Sequence, residues 1–177
     1  MPMLFTNQYY YFISGLPDFS FDSTKLPFTV ETFREMLDEA LKPEDSKLLS
    51  RYFLRYDNLN LFHILNRKEG DWHREGNFSR DEMEEIIAKV KEGDPIDHEL
   101  APPYYETFLR AWLNEEAAGE ARTLEDLIAS FHMDYGLEAR NSLIADWFEL
   151  NLNIGNILSA IYARKYEIDI HKVVVGN

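Results

Sequence analysis

Histidines and carboxylates are the residues of this chain that could bind a metal ion or move a proton. Five histidines lie at positions 63, 73, 98, 132 and 171. None of them has the His-x-x-x-His or His-Glu-x-x-His spacing that puts two metal ligands on one helical face. His98 with Glu99, and Asp71 with His73, could each serve as an acid and base pair, but such neighbours are frequent in any acidic chain. We therefore predict no metal site and no catalytic residue.

Other catalytic and cofactor-binding groups are also missing from the sequence. The absence of cysteine excludes disulfides, thiolate nucleophiles and Cys-containing metal sites. The eight glycines are dispersed and form neither the Gly-x-Gly-x-x-Gly nor the Walker arrangement that binds phosphates. We expect no cofactor and no enzymatic activity. The enzymatic alternative is a metal-dependent helical hydrolase that uses paired carboxylates.

The charge balance is strongly acidic. Lys and Arg total 18 against 32 Asp and Glu, which gives a formal net charge of −14. This charge would repel nucleic acids and anionic lipids and would favour a basic protein partner, although it is also a common means of staying soluble. No secretory signal and no run of about 18 uncharged apolar residues is present. The sequence predicts a cytoplasmic protein, at most peripheral on the cytoplasmic face of the inner membrane, that does not bind nucleic acid.

Apolar residues at spacings of three and four predict helices along most of the chain. The predicted helices start at or near Thr29, Asp45, Ser79, Pro103, Thr123 and Leu143. Ser79 with Glu82 has the spacing of a capping box, in which the two side chains satisfy free N–H groups at a helix start. The aromatic and β-branched run from Tyr9 to Ile13 predicts an extended segment instead. We expect an all-α bundle with a short extended N-terminal segment.

The last predicted helix carries a regular apolar stripe. Its members alternate spacings of four and three over almost three heptads: Leu143, Trp147, Leu150, Ile154, Ile157 and Ile161. Such an a/d stripe is typical of a helix that packs against another helix. We therefore predict that this helix packs against another helix.

An internal repeat relates the second helix to the last one at an offset of 96 residues. Asp57, Asn60, Leu61, Leu65 and Lys68 align with Asn153, Asn156, Ile157, Ile161 and Arg164. An amide beside an apolar stripe can fix helix register or bind a neighbouring backbone. A chance match between two long helices explains the pattern equally well. The repeat favours a single helical unit with pseudo-repeated halves of about 1–92 and 93–177.

Aromatic residues near the N-terminus give a second candidate surface. Tyr9 and Tyr10 open this cluster, and tyrosine offers a large contact area at low entropic cost. Core packing is the alternative use. The predicted partner-binding residues are Asp57, Asn60, Asn153, Asn156, Arg164, Lys165, Tyr9 and Tyr10.

Two stretches resemble known families. The segment Gln8-Tyr-Tyr-Tyr-Phe-Ile-Ser-Gly-Leu-Pro-Asp18 resembles the opening of a bacterial family of unknown function that is encoded beside V-type ATPase genes in Bacteroidetes and related bacteria. The residues from Phe148 to Ile157, with Ala163 to Tyr166, are similar to a helix of the C-subunit of V/A-type ATPases, which is called the d-subunit in eukaryotes. Proteins of the C-subunit family are built from pseudo-repeated helical bundles.

The resemblance implies a non-catalytic adaptor that seats the central rotor stalk on the membrane ring and transmits torque through packing. Its partners would be other V-type ATPase subunits of the stalk and the rotor ring. Proteins of the C-subunit family carry further bundles in a longer chain, so the resemblance leaves open a truncated C-terminus or a shorter relative. The alternative is an acidic helical scaffold or regulator unrelated to an ATPase.

Overall fold

The computed structural model describes residues 9–174, apart from 19, 21, 23, 24, 68, 69, 99 and 115–123. Seven α-helices lie in the described residues: α1 Tyr10–Gly15, α2 Val30–Ala40, α3 Pro43–Leu65, α4 Arg80–Glu92, α5 Tyr104–Leu113, α6 Leu124–Leu137 and α7 Ser142–Tyr166. A 3-10 turn follows at Ile170–Lys172. The prediction of an all-α fold is confirmed.

The N-terminal aromatic run differs from its prediction. We expected an extended segment at Tyr9 to Ile13, but α1 is helical over Tyr10–Gly15. The Tyr9 hydroxyl is tied to the start of α3, since it donates a hydrogen bond to Asp45 and accepts one from the Lys42 backbone N–H. Tertiary contacts of this kind override the β propensity of a short aromatic run.

Local capping chemistry sets several helix boundaries. The Ser79 hydroxyl accepts from the Glu82 N–H at 3.3 Å, and the Glu82 carboxylate accepts from the Ser79 N–H at 2.8 Å, so the predicted capping box forms. Gly93 ends α4 with φ of 85°, a left-handed conformation that glycine adopts at low cost. Asn141 caps α7 by accepting from the Ile144 N–H. The predicted Thr123 cap lies outside the described residues.

The chain divides into two compact units, residues 1–50 and 51–177, and the boundary falls within α3. In the first unit, the rings of Phe12 and Phe28 each stack on Phe33 of α2, with centroids 6.3 and 5.4 Å apart. Leu37 on the same helix is buried. The pseudo-repeat with halves of about 1–92 and 93–177 stays a prediction.

The second unit contains the main core. Its largest fully buried apolar side chains come from three consecutive helices: Leu61, Met83, Tyr105, Phe108 and Leu109. Consecutive helices pack on each other, namely α4 on α5, α5 on α6, and α6 on α7. Among the described residues, no helix is long and apolar enough to cross a lipid bilayer.

Candidate protein-binding surfaces

Asp57 lies inside the second unit and holds the loop that precedes α4. It occupies the middle of α3 and is fully buried. Its carboxylate accepts hydrogen bonds from the Asn77 backbone N–H at 2.7 Å, the Asn77 side-chain amide at 2.7 Å and the Phe78 N–H at 3.0 Å. A Cβ atom on Gly76 would come within 2.3 Å of the Asp57 Oδ1. The loop backbone therefore approaches this carboxylate as closely as only glycine permits.

Asn60 binds the same loop one helical turn further along α3. Its side-chain amide donates to the His73 carbonyl oxygen and accepts from the His73 N–H, both at 2.9 Å. This pair of bonds satisfies both backbone polar groups of one residue, as a neighbouring β-strand would. Asp57 and Asn60 thus fasten both ends of the 73–78 loop to α3.

These bonds give the predicted pair Asp57 and Asn60 an internal role. Both side chains are buried with their hydrogen bonds directed into their own chain. We expected an amide at this position to bind a neighbouring backbone, and the Asn60 side chain binds the His73 backbone in this way. Partner binding by these two residues stays a prediction and would require the loop to open.

The corresponding pair on α7 lies in a different environment. Asn153 is exposed and Asn156 is half-buried. The two basic residues of the prediction, Arg164 and Lys165, are in the last turn of α7, where positive charge is favoured by the helix dipole. Both are exposed. The aligned polar positions therefore differ in burial between the two helices.

The apolar stripe of α7 is on the surface of the described structure. All six of its residues are exposed, at 46% for Trp147 up to 74% for Leu143. Leu158 and Tyr162 extend the same apolar surface. The last helix does pack on another helix, α6, as predicted, but through a different face. Of the stripe itself, Trp147 lies edge-on to the Tyr52 ring of α3, with centroids 5.8 Å apart, while the side chains of all six residues stay exposed. We call the six residues Leu143, Trp147, Leu150, Ile154, Ile157 and Ile161 the α7 seam.

A different face of α7 packs on α6. Ile144 and Phe148 are buried, and the Phe148 ring lies edge-on to the His132 ring with centroids 5.2 Å apart. A Cβ atom on Gly136 of α6 would come within 2.2 Å of the Phe148 ring. The close approach of the two helices therefore depends on a residue without a side chain at this point, and the heptad pattern of the sequence did not identify it.

The first unit carries a second exposed apolar surface. Tyr10, Tyr11 and Ile13 of α1 are each more than 60% exposed, whereas Tyr9 is half-buried and hydrogen-bonded to Asp45. This bond is the main cause that raises the pKa of Tyr9 above its usual value. Tyr9 therefore positions α1, and its neighbours form the surface. We call Tyr10, Tyr11 and Ile13 the α1 face.

The histidine candidates for chemistry have structural neighbours. The His73 ring stacks near His63, with centroids 5.9 Å apart, and its Nδ1 is 3.9 Å from a carboxylate oxygen of Glu75. Within the described ranges, no group of three His, Cys, Asp or Glu side chains could hold a metal ion. His98 is exposed, and its neighbour Glu99 lies outside the described residues.

These features describe an all-α protein with an apolar surface on each of its two units. The chain belongs to the family DUF2764, described as a protein of unknown function, whose family model matches residues 6–177. Membership of a family of unknown function, expected from the N-terminal stretch, is thereby confirmed. Neither the curated proteins nor the solved structures contain a match to this chain.

His132 should make the stability of the fold depend on pH. Burial lowers its pKa below the usual 6.5, although its Nε2 lies 2.9 Å from the Arg51 carbonyl oxygen, a bond that acts in the opposite direction. The unfolded chain therefore binds more protons than the folded chain between the two pKa values, and stability falls as the pH drops from neutrality through about 6.5.

Urea unfolding at several pH values measures this loss of stability. His132→Gln should flatten the pH dependence, whereas His171→Gln, at an exposed position, should not. Equal slopes in both variants would contradict the assignment.

Proposed function

We propose that this protein is a non-catalytic component that joins other proteins, and that it serves a V-type ATPase as a coupling component, similar to the C-subunit, between the central rotor stalk and the membrane ring. The observation that carries the proposal is the presence of one exposed apolar surface on each unit, the α1 face and the α7 seam. A component that holds an assembly together needs exposed apolar surfaces of this kind, whether they meet a different protein or a second copy of the same chain. Monomeric soluble proteins rarely leave a contiguous apolar stripe of this size uncovered.

Two segments of the chain resemble ATPase-associated families, and this resemblance supports the ATPase assignment. Each segment overlaps one of the two surfaces. The N-terminal stretch that resembles a family encoded beside V-type ATPase genes includes the α1 face. The stretch similar to a helix of the C-subunit lies in α7. The acidic charge of −14 would favour basic surfaces on partner proteins. We propose a cytoplasmic location, peripheral to the membrane through these partners.

Affinity purification tests the proposal. The tagged full chain is recovered from its own membranes in mild detergent, and the co-purifying proteins are identified by mass spectrometry. We expect catalytic-head, stalk and rotor-ring subunits of a V-type ATPase. A soluble complex without ATPase subunits would reject the coupling role and favour the acidic scaffold.

Variants connect the result to the surfaces. Tyr11→Glu with Ile13→Glu places two charges on the α1 face and should remove the ATPase subunits from the purified material, because charged groups are costly to bury in an apolar interface. Asn153→Arg tests the predicted polar position on α7 in the same way. The control is Leu59→Glu, an exposed apolar position on α3 outside both surfaces. Equal recovery with all three variants would exclude these surfaces as the binding sites.

A further inference from the structure

The α7 seam has the repeat of a coiled coil, yet all six of its residues are exposed in the described structure. At one end the Trp147 ring lies edge-on to Tyr52 of α3, with centroids 5.8 Å apart, and more than half of the seam's remaining side-chain surface is left open. Its spacings of four and three assign Leu143, Leu150 and Ile157 to d positions and Trp147, Ile154 and Ile161 to a positions. The face that packs on α6 carries Ile144 and Phe148 instead. A strict 3.5-residue repeat is the pattern of a helix that pairs with another helix along its whole length.

The seam is symmetric when it is read in the opposite direction. When a second copy of α7 runs in the opposite direction with Leu152 at the centre, seam position 143 lies opposite 161, 147 opposite 157, and 150 opposite 154. Every d position therefore meets an a position. Two antiparallel copies of α7 would therefore form mixed layers: Leu143 on the partner's Ile161, Trp147 on the partner's Ile157, and Leu150 on the partner's Ile154. These layers occur twice, once on each side of the centre, as a two-fold axis requires.

The residues beside the centre of the seam suit this pairing. Asn151 and Asn153 flank Leu152, and each would lie near its own copy across the axis. Paired amides can donate and accept hydrogen bonds with each other, so no like charges meet there despite the acidic chain. A parallel pair would instead place two bulky Trp147 rings in a single layer. The composition of the seam thus favours the antiparallel arrangement.

The area available is sufficient for a small dimer interface. At the observed exposures each seam side chain offers on the order of 100 Å², so one seam contributes roughly 600 Å², against about 800 Å² per partner in a standard interface. Leu158 is also exposed and adds apolar area beside the seam.

We propose that the α7 seam binds a second copy of this chain, so that two α7 helices form an antiparallel pair. This inference rests on the proposed function and deepens it, because it names the occupant of one of its two surfaces. The dimer would leave the α1 face of each copy for the other proteins of the complex.

The first test measures the mass of the purified full chain by sedimentation across a wide concentration range. We expect a dimer that dissociates on dilution. Leu150→Glu with Ile154→Glu charges the central layers and should halve the mass, with circular dichroism unchanged because both positions are exposed in the single chain. Leu59→Glu should remain dimeric. A wild-type monomer at every concentration would overturn the proposal and indicate that a different protein or another segment of this chain covers the seam.

The second test determines the direction of pairing through disulfide formation, since the chain has no cysteine of its own. Asn153→Cys should link to its own copy under mild oxidation, and a mixture of Leu143→Cys with Ile161→Cys should link across the pair. Leu143→Cys alone should stay unlinked, because the antiparallel arrangement places its two copies at opposite ends. A link in Leu143→Cys alone would identify a parallel pair and overturn the arrangement. Both tests use the isolated chain, so their failure is distinguishable from failure to recover ATPase subunits.

Discussion

Replacement of Asp57 by alanine should lower the free energy of unfolding by about 3–5 kcal/mol, because it leaves buried N–H donors without an acceptor. The donors are the backbone and side-chain groups of Asn77 and the backbone of Phe78. Each unsatisfied donor costs roughly 1–3 kcal/mol, and the burial of Asp57 prevents water from replacing the carboxylate without rearrangement of the loop. Urea unfolding monitored by circular dichroism measures the change.

Two further variants give this prediction its control. Glu84→Ala removes an exposed carboxylate on α4 and should change stability by less than about 0.5 kcal/mol. Asp57→Asn keeps one acceptor oxygen, so its free energy of unfolding should lie between those of Asp57→Ala and Glu84→Ala. Hydrogen exchange should show faster exchange at the Asn77 and Phe78 amides in Asp57→Ala. If Asp57→Ala is as stable as Glu84→Ala, the carboxylate does not hold the loop.

Replacement of Gly136 by alanine should destabilise the protein by roughly 1–3 kcal/mol, although alanine is the better helix former by about 1 kcal/mol. The new methyl carbon would lie 2.2 Å from the Cγ and Cδ1 of Phe148. Rotation of the ring about χ2 does not move Cγ, which lies on that axis, and a change of χ1 would swing a buried ring into its packed neighbours. The collision is therefore relieved by separation of α6 and α7. Thermal unfolding of the full chain measures the effect.

Gly155→Ala is the matched control on α7. No atom lies within 4 Å of a Cβ at this position, so the substitution should raise stability by up to about 1 kcal/mol through helix propensity alone. In a double variant, Gly136→Ala with Phe148→Leu, the loss of unfolding free energy should be smaller than the sum of the losses in the two single variants, because the smaller side chain relieves the collision. Additive losses would show that the two residues are not in contact.

Local signals predicted much of the fold. Ser79 and Glu82 indicated the start of α4 because a capping box is formed by residues three apart, and Gly93 ended it through its own conformational freedom. The helices themselves followed from apolar periodicity, which depends only on neighbouring turns. The exception was α1, where the Tyr9 hydrogen bond to a residue 36 positions away outweighed local preference.

The identity of the exposed and buried faces could not be predicted in this way. The α7 seam and the face that carries Phe148 are both apolar, so periodicity alone favoured the more regular one. The deciding features are Gly136, which lets α6 approach Phe148, and Gly76, which lets the loop approach Asp57. Both act between segments separated in sequence, and a single glycine gives no signal of the partner it will meet.

The fastening of the 73–78 loop also bears on the order in which the chain folds. Asn60 and Asp57 bind residues only 13 and 20 positions away, so closing these connections costs little chain entropy. The helix pairs in closest contact, from α4 through α7, are also successive along the chain. Local contacts of this kind favour rapid formation of the region from α3 to α5. The contacts of Arg51 with His132 and Tyr135, 81 and 84 positions away, must wait until α6 has been made. The α7 seam would then be completed last, after the surface on which α7 rests has formed.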